Sequence, residues 1–123
     1  SADEDANRGD RSFYGMERSR FRFAQLNLAS FEKRNLKNAD FQNAILFDTN
    51  FADADVTGAS FHDAAFWEFT DGESQEHGEK ILRNHSLAKA KGFDIEMWKV
   101  TARFPNGHPR LDATSRYWFL ERR

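Results

Sequence analysis

The sequence predicts an all-β solenoid, a quadrilateral β-helix of about two and a half coils, carrying a C-terminal helix plus a small two-stranded element and an N-terminal arm. Two observations carry this. Every fifth position from 21 to 66 is large and apolar: Phe21, Leu26, Phe31, Leu36, Phe41, Leu46, Phe51, Val56, Phe61 and Phe66. Two residues ahead of each stand Ser19, Ala24, Ala29, Arg34, Ala39, Ala44, Thr49, Ala54, Ala59 and Ala64, small in every case but Arg34. Neither a helix nor a strand has a period of five. A chain that turns a corner every five residues closes a coil in four units. The large residue then fills the axis and the small one sits beside it.

The coils pair through their backbones at the usual strand spacing, so ten units stack to roughly 12 Å. The boundaries read as 1–18 for an N-terminal arm and cap, 19–70 for the repeat and 71–123 for a C-terminal cap and tail. Within the repeat, residues twenty apart share a face. Phe21, Phe41 and Phe61 form one internal ladder, Phe31 and Phe51 the opposite one, with Leu26, Leu46 and Phe66 between them. Arg34 is expected to loosen its corner.

The runs Ala-Asp-Phe-Gln-Asn at 39–43, Ala-Asp-Val-Thr-Gly at 54–58 and Ala-Ser-Phe-His-Asp at 59–63 resemble the pentapeptide-repeat family. The resemblance implies a right-handed quadrilateral β-helix and a protein that acts by binding.

The outward slots are mostly polar, but Ile45, Phe47, Ala65 and Trp67 fall on one face, with Trp67 expected to lie over Phe47. Contiguous outward apolar residues need a cover, and these four are the candidate partner-binding residues. Two covers are open: the chain's own tail, through Trp98 or Tyr117 to Leu120, or another protein. The tail leaves from the end of the stack and must double back, so the reading leans to a partner.

Ser1 to Asp10 is polar and acidic, the composition of an arm with no core of its own. Phe13, Tyr14 and Met16 are the expected cap of the first coil, covering the outward Phe23 and Leu28. The start at Ser-Ala without Met reads as a trimmed or processed terminus, consistent with the thylakoid lumen or periplasm, and with the cytoplasm otherwise. The repeat ends after Phe66, because Asp71 takes the next central slot and Asp71-Gly72 breaks the chain. Ser74 can cap a helix with Ile81, Leu82, His85 and Ala88 as its apolar stripe and Gly92 as its stop. Trp98, Val100, Ala102 and Phe104 alternate with polar residues as in a strand. Pro105 to Pro109 reads as a turn, and the aromatics of Tyr117 to Leu120 favour a second strand.

The net charge of −2 hides a segregation: positions 38–79 hold ten acids and no Lys or Arg, while positions 80–123 hold ten bases and four acids. Either the basic tail folds back on the acidic coils or one of the two faces a charged partner. No apolar run approaches the roughly 18 residues of a membrane span, which leaves peripheral association open. There is no Cys, hence no disulfide or thiolate site.

His62, His77, His85 and His108 lack the spacing of a metal motif, and no nucleophile elbow or phosphate loop occurs. The reading assigns no catalytic, cofactor-binding or metal residue, no cofactor and no small-molecule substrate. The aromatics Trp98, Phe104, Tyr117 and Trp118 among basic residues suggest a nucleic-acid surface less well than they suggest a small core. Two functions remain. The first is a non-catalytic interaction or structural subunit of a larger assembly. The second, implied by the resemblance alone, is a DNA mimic that binds a type II topoisomerase, as some members of the family do.

Overall fold

The computed structural model describes residues 14–123, Tyr14 by its backbone alone. The expected arm at 1–10 and the cap residue Phe13 lie outside the described residues.

The repeat is a solenoid. Parallel bridges join residues twenty apart, Arg20 to Asp40, Gln25 to Ile45, Ser30 to Asn50, Asn35 to Asp55, Asp40 to Ser60 and Ile45 to Ala65. The short strands β1 (Tyr14–Gly15) and β2 (Arg34–Asn35) pair in the same parallel register. Each five-residue unit also closes a tight turn, in which the small residue donates its N–H to the carbonyl of the preceding central residue, as Ala24 does to Phe21 and Ala44 to Phe41, both at 3.0 Å. Ser19 donates to Met16 in the same way, so Met16 occupies a central slot one unit before Phe21. It packs on the core.

Two features of the repeat explain its polar slots. The residue two past each central position lies in the left-handed region, from Arg18, Phe23, Leu28 and Lys33 through Asn38, Asn43, Asp48, Asp53 and Gly58 to Asp63. From position 38 onward these are Asn, Asp or Gly, the types that tolerate positive φ. In six units the residue just before the central position caps the corner: Gln25, Ser30, Asn35, Asp40, Asn50 and Asp55 accept the N–H of Asn27, Glu32, Lys37, Gln42, Ala52 and Thr57 through their side-chain oxygens.

The axis is filled by ring stacks. Phe21 and Phe41, and Phe41 and Phe61, stack at 5.0 Å; Phe31 and Phe51 stack at 5.5 Å; neighbours across the axis meet edge to face. Thr49 fits the small slot because its hydroxyl donates to the Leu26 carbonyl at 2.8 Å. The corner at Arg34 is not loosened. Arg34 N–H reaches the Phe31 carbonyl at 3.0 Å and its own carbonyl accepts from Asp55, so the backbone keeps the repeat geometry.

Beyond Phe66 the chain joins a three-stranded antiparallel sheet of order β3-β5-β4, comprising β3 (Ala65–Phe69), β4 (Trp98–Thr101) and β5 (Arg116–Arg122). The expected two-stranded element thus gains a third strand from the end of the repeat. Ala102 and Phe104 fall outside β4, because Phe104 turns away to pack on Phe119 at 5.6 Å. Helix α1 (Gln75–Asn84) starts at Ser74, whose Oγ accepts the His77 N–H, and stops at His85, sooner than the apolar stripe suggests. The His85 ring there accepts the Leu87 N–H, a side-chain bond that competes with helical pairing, and the chain continues as a 3₁₀ turn, Ser86–Lys89. No helix among the described residues is long and apolar enough to cross a membrane.

The left-handed corners give a test with opposite signs at adjacent positions. Lys33 has φ 60°, so Lys33→Gly should raise stability by about 1 kcal/mol. Glu32→Gly, one residue earlier and outside the left-handed set, should lower it by about 0.5–1 kcal/mol. Chemical denaturation of the two variants checks this, and shifts of the same sign would refute the corner assignment.

Candidate interaction surface

The four residues singled out for a partner are not equivalent. Ile45 and Ala65 are buried, Phe47 is half-buried and Trp67 is 38% exposed. Ile45 and Ala65 stand in the slot that elsewhere carries a polar corner cap. The Phe47 N–H is satisfied instead from the coil below, by Asn27 Oδ1 at 3.1 Å. Phe47 stacks on Tyr117 at 5.9 Å, whereas Trp67 has no ring partner among the described residues. The expected stacking of Trp67 over Phe47 is therefore replaced by a stack with the tail.

That tail does double back. Strand β5 pairs Phe119 with Ala65 and Trp118 with Trp67, and its alternation serves two cores. Tyr117 and Phe119 face an outer cluster with Ala65, Phe47, Phe104 and Leu111. Trp118 and Leu120 join the main core, where Trp118 stacks on Phe69 at 4.3 Å. A cover made of the chain's own residues thus lies over Phe47 and Ala65, contrary to the leaning toward a partner, because residues 102–115 run back along the outer face of the solenoid. The aromatics weighed for nucleic acid are accounted for in the same way: Trp98, Tyr117 and Trp118 are buried.

Polar clamps fix the tail. Ser86 Oγ donates to the Thr49 carbonyl and accepts the Phe51 N–H, both at 2.8 Å. Lys91 extends the column Asn35–Asp55 by a parallel bridge to Asp55, and its N–H and carbonyl pair with Ala54 and Val56. Asp55 is buried, and burial by itself would raise its pKa. The Thr57 hydroxyl at 2.6 Å, the Thr57 N–H and the ammonium groups of Lys37 and Lys91 outweigh this and hold it below the ordinary carboxylate value.

His85 and His108 clamp by a common device. A backbone N–H donates to each Nδ1, from Leu87 and from Arg110, while each Nε2 faces a solenoid carbonyl, Leu46 at 2.8 Å and Asn43 at 2.9 Å. An amide N–H can only donate and a carbonyl can only accept, so both rings are the neutral Nε2–H tautomer. Their signal in the sequence is faint: each is an acceptor two residues ahead of the N–H it caps, as Asp and Ser are at turns. His62 lies beside Asp63 and His77 beside Glu73. No group of three metal-ligating side chains occurs among the described residues.

Residues 17–63 match the family model of pentapeptide repeats in eight copies. This stretch is a pentapeptide-repeat array. Comparisons with curated proteins and with solved structures found no match. Pentapeptide repeats account for the coils, whereas residues 64–123, which supply the tail and its clamps, lie outside the matched region.

Two outcomes test the clamps. Gly92 has φ 84°, and a Cβ there would lie 2.2 Å from Thr57 Oγ1 and 2.6 Å from its Cα. The close approach lets Lys91 reach Asp55, so Gly92→Ala should destabilise by about 1–3 kcal/mol, read as a lower denaturation midpoint. The second outcome concerns pH. Burial pushes the His85 pKa below its ordinary value of 6.5, and the Leu46 carbonyl and the Asp48 charge oppose this only in part. Between the folded and unfolded values the unfolded chain binds more protons, so stability rises with pH there. His85 should contribute fully above about pH 6.5 and lose its contribution as the pH falls below that value. Denaturation midpoints from pH 7.5 to 5 should show a slope that His85→Gln reduces; an unchanged slope would exclude His85 as its source.

Proposed function

We propose that this pentapeptide-repeat protein is a non-catalytic interaction scaffold, a subunit of a larger protein assembly. In this reading its solenoid is a right-handed, four-sided coil of about two and a half coils, and the face carrying Ile45, Phe47, Ala65 and Trp67 meets a protein partner. The observation that supports it most is Trp67, a large apolar side chain 38% exposed on β3 at the edge of the sheet. Aromatic side chains at such positions are the usual anchors of protein interfaces. Phe47 and Ala65 belong to the outer cluster behind it, and Ile45 holds Ala65 through their parallel bridge.

Two substitutions separate contact from support. Trp67→Ser should keep the melting temperature within about two degrees of the parent, as expected of a surface change within about 0.5 kcal/mol, while weakening association with the assembly in native mass spectrometry. Phe47→Ser removes a stacked, half-buried ring and should cost about 1–3 kcal/mol. If Trp67→Ser leaves the assembly intact, the face is not the contact. Protection of a type II topoisomerase by the parent protein would move the reading to the DNA mimic.

A further inference from the structure

Strand β4 is an edge of the sheet, and the direction of its backbone groups follows from its partner. Leu120 donates to the Ala64 carbonyl at 2.9 Å and accepts the Asp63 N–H, so its N–H and C=O face away from β4. Val100, paired with Leu120, and Trp98, two residues earlier, therefore turn their own N–H and C=O groups outward from the sheet. Two of these four groups are engaged: the Trp98 N–H donates to Ile95, and the Val100 carbonyl accepts from the Gln75 side chain. The Trp98 carbonyl and the Val100 N–H have no partner among the described residues. They lie along a cleft of about 230 Å³ between helix α1 and the 3₁₀ turn Ile95–Met97. Leu82, Ile95, Trp98 and Val100 give it an apolar lining. Each wall adds one acid and one base: Glu79 and Arg83 from the helix, Glu96 from the turn and Arg123, whose N–H is bonded to the Met97 carbonyl. Elsewhere such neighbours pair, as Arg22 does with Asp40 and Arg103 with Glu121. None of the four side chains in the cleft forms an ion pair among the described residues.

We propose that this cleft binds a free α-amino acid with an apolar side chain. A carbonyl and an N–H offered by residues two apart on a strand edge are what one residue of a parallel neighbour engages; in the solenoid Asp40 donates to the Ser19 carbonyl and accepts the Phe21 N–H in this way. An α-amino acid carries the same two groups on one carbon. Its ammonium donates to the Trp98 carbonyl and its carboxylate accepts the Val100 N–H, with the acids and bases of the walls supplying the opposite charges. Hydrogen bonds to an ionised group are roughly twice as strong as neutral ones. A zwitterion satisfies both signs at once, which neither a simple anion nor a simple cation does. The ligand's side chain lies against the lining, where Leu82 and Val100 are buried and Ile95 is half-buried. The volume falls below the roughly 300–1,000 Å³ of sites for drug-sized ligands, so the occupant is a small molecule rather than a segment of another protein. The site is independent of the scaffold reading, because β4 and the Trp67-bearing β3 are opposite edges of the sheet.

The test uses the whole protein with L-leucine as the probe. Titration followed by NMR should shift the amides of Leu82, Trp98 and Val100 saturably and leave those of the Phe21 to Phe61 coils in place. N-acetyl-L-leucine lacks the ammonium and L-leucinamide lacks the carboxylate, and each should bind about tenfold more weakly, the scale of one hydrogen bond to a charged group. Two double variants at the cleft walls assign the charges. Arg83→Gln with Arg123→Gln should weaken L-leucine about tenfold and leave L-leucinamide unaffected. Glu79→Gln with Glu96→Gln should weaken L-leucine by a similar factor and leave N-acetyl-L-leucine unaffected. Denaturation midpoints equal to that of the parent show that the variants keep the fold. The absence of a saturable shift up to about 10 mM L-leucine, a range that covers millimolar sites, overturns the proposal. So does equal binding of the three probes, or full retention of L-leucine affinity in both double variants.

Discussion

Everything in this molecule depends on the chain turning a corner in the left-handed region once every five residues. The turn is closed by a hydrogen bond from the small residue to the central residue before it, and the polar residue ahead of the central one caps it. The corner therefore fixes three side-chain choices: Asn, Asp or Gly at the corner, a short acceptor before the axis, and Ala where the coils crowd. The aromatic ladder follows from the corner. Residues on the axis meet their counterparts one coil on at stacking distance because the backbone returns to register after twenty residues.

The first units obey these rules loosely. Arg18, Phe23, Leu28 and Lys33 are bulky residues at positive φ, each bearing a strain of about 1–2 kcal/mol that the later Asn, Asp and Gly corners avoid. Long-range pairing compensates, since the N–H of Phe23, Leu28 and Lys33 is bonded to the second coil at Gln42, Phe47 and Ala52. A poor corner is tolerated when the coil beside it is well made. Even Arg34, in a slot meant for Ala, does not disturb the backbone.

The repeat was legible in the sequence because its signal is local and recurs: Phe31 and Phe51 could be set on one ladder by counting alone. The tail was harder to read, since its structure depends on contacts far along the chain. Ala65 and Ile45 look like exposed apolar residues until Phe119 and the loop before it are brought against them. Trp98 to Phe104 alternates like a single strand, yet only Trp98–Thr101 pairs, because the outer cluster draws Phe104 away. The clamping histidines are hard to read for a related reason. Sequence spacing speaks only to metal ligation or core packing, while their role is to tie one segment to the backbone of another, and that depends on the Leu46 and Asn43 carbonyls, which carry no side-chain signature.

Strand β5 is buried on both faces from Tyr117 to Leu120 and hydrogen-bonded along both edges, to β3 and to β4. It works as a keystone. The coils can wind up by short steps, each adding a neighbour twenty residues away, but the sheet closes only when distant segments converge on this one strand. The helix, the outer cluster and the end of the repeat are therefore coupled through this one strand, which packs on Gly78 of the helix, carries two members of the outer cluster and pairs with the strand that continues the last coil. In that respect the protein is less a uniform stack of repeats than a spring held shut by a single clasp.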